Sequence, residues 1–159
     1  MPNDLRPGDV LFYAPSSLLG VLISLKTWTW LSHVEAYVGS GRVIAARPQG
    51  VNVYCERIDK HLACIRRPLV KRFDVGEAYR AVSSMLGKSY DITAFWSFFL
   101  PQMNRNHATR ICSSVVTAWL RGGGVEPFNP DFDSDDVSPA QLWQSSELMT
   151  IWKRNKKEY

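Results

Sequence analysis

The residue whose type and position best suit covalent chemistry is Cys112. It lies within residues 109–114, TRICSS, at the predicted start of an amphipathic helix. The free backbone N–H groups and the dipole of a helix N-terminus stabilise a thiolate, and Arg110 adds positive charge nearby. The same N–H groups can hold an oxyanion. The pattern makes Cys112 a candidate nucleophile; the alternative is a buried structural cysteine.

A candidate general base, His33, opens a predicted strand in residues 31–39, LSHVEAYVG. Side chains alternate along a strand, so Glu35 is expected on the same face as His33. A carboxylate beside an imidazole can fix its tautomer and stabilise the imidazolium that forms when the ring takes a proton. The alternative is a His/Glu pair on the solvated face of a sheet.

Other residues offer weaker indications of a site. Trp28 and Trp30 precede His33 and are candidates to line a substrate groove, although core or rim packing is the commoner role. Ser113, beside Cys112, is a further substrate-binding candidate. Cys55 and Cys64 flank a predicted hairpin, and they are expected to be either core thiols or the two halves of one disulfide bridge. The three histidines are scattered and no paired CxxC cluster occurs, so neither a metal nor a cofactor is expected.

The composition fits one folded domain over residues 1–159. Apolar residues make up 45% of the chain and aromatic residues 12%, which is typical of a globule with its own core. A net charge of +4 is ordinary, so no nucleic-acid partner is expected, and residues 153–159 are predicted to form a frayed basic tail. The expected partner is a peptide or acyl substrate.

The distribution of apolar residues gives an expectation about location. Residues 1–8 lack the apolar segment of a secretory signal. The longest apolar stretches, residues 18–25 and 92–100, are too short to cross a bilayer. The sequence therefore predicts a protein made in the cytoplasm, without a transmembrane segment; delivery to the cell envelope by a phage is an alternative.

Periodicity predicts an α+β fold. A meander of strands is expected, joined by turns at Ser40-Gly41, at residues 48–50 and at residues 57–60. These predicted strands are 8–13, 33–38, 42–46, 51–55 and 61–66. Helices are predicted over 17–28, 74–87, 92–100, from Cys112 to the glycines at 122–124, and after Ser138-Pro139. The expected architecture is one central antiparallel sheet with helices on one side.

Taken in order, four motifs resemble a known family. They are residues 8–11 (GDVL), residues 32–39 (SHVEAYVG), residues 87–91 (GKSYD) and residues 111–114 (ICSS). Together they resemble the circularly permuted branch of the NlpC-type papain-like cysteine hydrolases, which includes the YiiX-like proteins and is related to the lecithin:retinol acyltransferases. His33 precedes Cys112, as in the permuted order. The resemblance spans roughly residues 7 to 121.

The resemblance implies a papain-like hydrolase fold and roles for individual residues. Cys112 matches the nucleophile, His33 the base, and Tyr90 the tyrosine of the Gly-x-x-Tyr motif near the oxyanion site. Many members carry a polar third residue on the strand after the histidine strand, but Ala45 and Ala46 stand there. Glu35 is then the best substitute for that residue, the alternatives being a water or a backbone carbonyl.

The substrate class stays open at this point, since the family hydrolyses peptidoglycan peptides and other amides and also transfers lipid acyl groups. The first expectation is cleavage of an amide bond in peptidoglycan-type peptides. A lipid acyl thioesterase or acyltransferase, or a silent binding module with the same fold, is the alternative. Ile111 occupies the position where unpermuted members usually have Asp, which weakens the transfer of their detailed substrate preference.

Overall fold

Six antiparallel strands form the centre of the molecule. The structure, a computed structural model, describes residues 4–16, 20–21, 24, 29–56, 60–88, 110–129 and 137–154. The strands are β1 (Val10–Tyr13), β2 (His33–Gly39), β3 (Arg42–Arg47), β4 (Gly50–Cys55), β5 (Leu62–Pro68) and β6 (Leu148–Lys153). Their order across the sheet is β4-β3-β2-β1-β5-β6. The five strands predicted from the sequence are confirmed to within two residues at each end.

The sixth strand, β6, was missed by the sequence reasoning. It pairs with β5, with Cys64 opposite Lys153 and Pro68 opposite Leu148. Arg154 continues this pairing, because its backbone N–H donates to the carbonyl oxygen of Ala63 at 2.9 Å. The prediction of a frayed tail is therefore wrong at residues 153 and 154, since the β5 edge supplies their backbone partners. Residues 155–159 lie outside the described residues.

Three helices have described bounds: α1 (Val75–Val82), α2 (Arg110–Gly122) and α3 (Pro139–Gln144). The predicted caps are present at both short helices: the Asp74 carboxylate accepts from the N–H of Glu77 at 3.0 Å, and Ser138 forms a capping box with Gln141. Helix α2 ends at the predicted glycine run. Helix α1 stops at Val82, five residues before its predicted end, and turns fill residues 83–87.

The remaining helix predictions lie mostly beyond the described residues. Within the predicted helix at 17–28, residues 20, 21 and 24 are helical. The predicted helix at 92–100 lies outside the described residues altogether. Among the helices that the structure does describe, each is too short or too polar to traverse a lipid bilayer.

The sheet buries a different cluster on each face. The larger cluster contains buried side chains of the described helices together with the alternate strand residues Val10, Phe12, Val34, Ala36 and Ile44. The smaller cluster on the other face is built from strand residues alone, namely Leu11, Tyr13, Tyr37, Val43, Leu62 and Ile65. The described helices thus lie on one side of an antiparallel sheet, which confirms the predicted α+β class.

Candidate active site

Cys112 is held in the first turn of α2. Backbone N–H groups in the first turn of a helix carry the positive end of the helix dipole, so they favour negative charge there. Helix α2 packs across β2 and β3. This packing brings the half-buried Cys112 beside His33, the first residue of β2, closely enough for the two side chains to interact. Two residues far apart in sequence therefore meet at the end of one strand.

The second contact of the imidazole is with Glu35, two residues along the same strand. The ring Nε2 of His33 lies 3.0 Å from Oε1 of Glu35. That contact leaves Nδ1 as the ring nitrogen available to Cys112. The carboxylate therefore lies where it can hold the ring in one orientation and stabilise its protonated form.

Glu35 is itself held by two further side chains. Only 2% of it is exposed, and the guanidinium of Arg47 grips both oxygens, with Nε at 2.8 Å from Oε1 and Nη2 at 3.1 Å from Oε2. The Tyr13 hydroxyl also donates to Oε2 at 3.2 Å. Such a two-point pairing is the strong form of carboxylate recognition, and it offsets the cost of burying the charge.

The electrostatics of this group favour charged partners at neutral pH. Burial lowers the pKa of His33, but its hydrogen bonds and charge interactions with Cys112 and Glu35 outweigh this and raise the pKa to about 9. Burial raises the pKa of Glu35, yet His33 and Arg47 outweigh it and bring the value down to about 2. An imidazolium beside an ionised Glu35 is the expected state from mildly acidic to mildly basic pH.

Arg47 is the site residue that sequence reasoning missed. It ends β3, directly after the alanines at positions 45 and 46 where a polar third residue was expected. Its guanidinium also lies 4.4 Å from the centre of the Tyr54 ring. A signal was present, since a lone Arg at the end of a strand beside the His/Glu strand is a natural partner for a buried carboxylate.

The other predicted site residues have different placements. Ser113 is fully buried and its hydroxyl donates to the carbonyl of Val137, so its side chain supports packing rather than substrate contact. Trp30 is 38% exposed and lies edge-on to Trp143, with ring centres 6.0 Å apart. Tyr90 and Trp28 lie outside the described residues.

All three cysteines are free thiols, so the predicted alternative of a Cys55–Cys64 bridge is not present. Cys55 is exposed, whereas Cys64 is buried, and burial raises the pKa of the Cys64 thiol to about 11. A thiol that stays protonated in this way is a poor nucleophile.

Comparison with known proteins shows the fold and no more. No protein-family model matches the chain, and no curated protein does. Among solved structures, the metalloprotein YiiX from Escherichia coli O157:H7, a DUF1105 protein, is similar with a TM-score of 0.51 and 17% identity. The match covers 94% of this chain and 97% of that one. The chain therefore has a fold of the YiiX type.

YiiX is described as a metalloprotein, which raises the question of a metal here. Within the described ranges, no group of three or more His, Cys, Asp or Glu side chains could hold a metal ion. Both carboxylate oxygens of Glu35 are already engaged by Arg47. The residues in hand do not fit a metal centre at this site.

Proposed function

We propose that this chain is a cysteine hydrolase with a permuted papain-like fold, in which Cys112 attacks an amide carbonyl and His33 is the general base. The observation that carries the proposal is the contact between Cys112 and a His33 ring that Glu35 holds from its other nitrogen. Covalent acyl transfer needs a nucleophile, a base that contacts it and a carboxylate that orients the base, and these three groups are arranged in that order here.

The first half of the reaction forms a thioester. The Cys112 thiolate adds to the carbonyl carbon, and the C=O electron pair moves onto oxygen, where first-turn N–H groups of α2 can stabilise it. The tetrahedral intermediate collapses with cleavage of the C–N bond. The His33 imidazolium gives its proton to the departing nitrogen, so the amine leaves neutral.

The second half returns the enzyme to its starting state. Neutral His33 takes a proton from water as the oxygen adds to the thioester carbonyl carbon. Collapse then breaks the C–S bond, and the carboxylic acid departs while Cys112 leaves as a thiolate beside the imidazolium. Throughout the cycle Glu35 and Arg47 keep their charges, so their role is to hold and stabilise the ring.

A silent binding module was considered because no polar residue occupies the family's usual third position. Glu35 can take the role of that residue. The family's usual position is occupied by Ala45 and Ala46, but the carboxylate reaches His33 from β2 itself and is fixed by Arg47. This placement favours an active enzyme over a module that has kept only the fold. The proposed substrate is an amide in a peptidoglycan-type peptide.

Turnover on such peptides tests the proposal. Purified peptidoglycan stem peptides are incubated with the wild-type chain, with Cys112→Ala and with Cys55→Ala, and the products are identified by mass spectrometry. Cys55 is an exposed thiol and provides the matched control. We expect cleavage by the wild type and Cys55→Ala, and loss of cleavage in Cys112→Ala. Full turnover by Cys112→Ala would refute the mechanism.

A further inference from the structure

A second cluster of unusual composition lies beside the candidate site. It consists of two indoles and two cations, Trp30, Trp143, Arg66 and Lys153, which we term the indole patch. The Lys153 ammonium is 5.6 Å from the centre of the Trp30 ring and 5.8 Å from that of Trp143. The Arg66 guanidinium lies 5.9 Å from the centre of the Trp143 ring. The patch therefore joins apolar surface to positive charge.

The positive charge of the patch has no acidic partner among the described residues. The guanidinium of Arg66 donates to the backbone carbonyls of Trp143 and Leu148, which are neutral acceptors. The interactions of Lys153 are with the two indole faces, and its side chain is exposed. An ammonium has three N–H donors, and ring faces leave them available to a ligand. Two cations that approach the same indole ring without a carboxylate favour an anion.

The patch is within reach of a ligand attached at Cys112. Trp30 is three residues before His33, and three residues of extended chain span at most about 11 Å. On the other side, Ser113 bonds to Val137, the residue before the cap of α3, and Trp143 is near the far end of that helix. Six helical residues span about 9 Å. The first span is an upper limit on the separation of the Trp30 and His33 backbones, so the patch borders the candidate site on its His33 side.

We infer that the indole patch is a subsite for an anionic group, such as a carboxylate, carried by the acyl substrate on the His33 side of the bond that Cys112 attacks. The apolar stem of the substrate would lie against the exposed face of Trp30, and Lys153 would pair with the anion. This inference rests on the proposed function and specifies its substrate: acidic acyl chains are preferred over neutral ones of the same length.

Affinity alkylation tests the subsite without knowledge of the natural substrate. The probes are bromoacetamido-alkanoates of increasing chain length, each compared with its methyl amide, and the rate of Cys112 modification is read by mass spectrometry. We expect a preference for the carboxylate of about two- to five-fold, the range for one exposed ion pair, at the chain lengths that span from Cys112 to Lys153. Lys153→Gln should abolish this preference, so that the carboxylate and the methyl amide react at equal rates.

The matched control is Lys71→Gln, which removes the same charge from another exposed lysine. Strand β5 begins near His33, because Tyr13 pairs with both His33 and Leu62, and Lys71 follows the opposite end of that strand. The control should keep the wild-type preference. An equal rate for carboxylate and amide at every length, or a preference that survives Lys153→Gln, would overturn the inference.

A second measurement separates this inference from the proposed function. If Cys112 reacts with neither probe, the proposed function fails, and the subsite is then tested by binding alone. The probe is 6-acetamidohexanoate, which carries the carboxylate but no leaving group, and the signal is tryptophan fluorescence. Saturable quenching in the wild type that is lost in Trp30→Phe and in Lys153→Gln supports the subsite. Absence of saturable quenching in the wild type would contradict the subsite.

Discussion

The ion pair between Arg47 and Glu35 predicts how much stability the fold loses when Arg47 is replaced. Arg47→Met removes two charge-assisted hydrogen bonds from a carboxylate that is 2% exposed. Deleting one partner of a buried ion pair typically costs about 3–5 kcal/mol. Since the contacts with His33 and Tyr13 remain, we expect the low end, about 3 kcal/mol. For a chain of this length that loss lowers Tm by about 6–12 °C.

A double-mutant cycle isolates the pair from the other contacts of Arg47. The guanidinium also lies over Tyr54 and donates to the Cys55 carbonyl at 3.4 Å, and these losses occur whether or not Glu35 is charged. Urea and thermal unfolding at neutral pH are measured for the wild type, Arg47→Met, Glu35→Gln and the double variant. We expect Arg47→Met to cost at least about 1 kcal/mol less in the Glu35→Gln background. Equal costs in both backgrounds would refute the reasoning.

Three further predictions concern pH, packing and thiol chemistry. A rise in the pKa of His33 from 6.5 to about 9 stabilises the fold by up to about 3 kcal/mol. This contribution is complete below pH 6.5 and is lost as pH rises through 9. The difference in urea stability between the wild type and His33→Gln should therefore shrink over that pH range, and a constant difference would contradict the prediction. Gly122→Ala should destabilise the fold by about 1–3 kcal/mol, because the added Cβ would lie 2.7 Å from a backbone atom of α1. In Gly76→Ala the added Cβ makes only an ordinary contact at 3.4 Å, so this variant should be neutral or stabilising. Equal effects of the two variants in thermal unfolding would contradict the packing of α2 on α1. In mass-spectrometric alkylation of the native chain, Cys64 should stay unmodified until denaturant is added, and modification under native conditions would show that its burial is wrong.

The parts of the fold that the sequence predicts correctly are those set by local patterns. Alternation along one strand places Glu35 beside His33, and the Ser138 cap marks the start of α3. Both depend on residues within a few positions of each other, where side-chain period and capping chemistry decide the outcome.

The parts that the sequence does not predict depend on pairing over long distances. Strand β6 is a short segment near the end of the chain whose partner, β5, lies about ninety residues earlier, as in the Cys64–Lys153 pair. Lys153 likewise meets Trp30 only because β6 exists, whereas Arg47 reaches Glu35 across the β2–β3 hairpin that the Ser40-Gly41 turn predicts. The neighbour of a strand such as β6, far from its partner in the chain, is chosen by the whole sheet, so no local pattern indicates the Lys153 contact.

The most direct test of the central claim is the reactivity of Cys112 toward iodoacetamide across pH, with each cysteine followed separately by mass spectrometry in the wild type and in His33→Ala. An ordinary thiol reacts slowly below its usual pKa of about 8.5, whereas a thiolate paired with an imidazolium reacts well below it. We predict fast alkylation of Cys112 at mildly acidic pH, with Cys55 slow under the same conditions, and loss of that fast reaction in His33→Ala. If Cys112 reacts no faster than Cys55, or equally fast without His33, the two residues do not form a catalytic pair and the proposed mechanism is wrong.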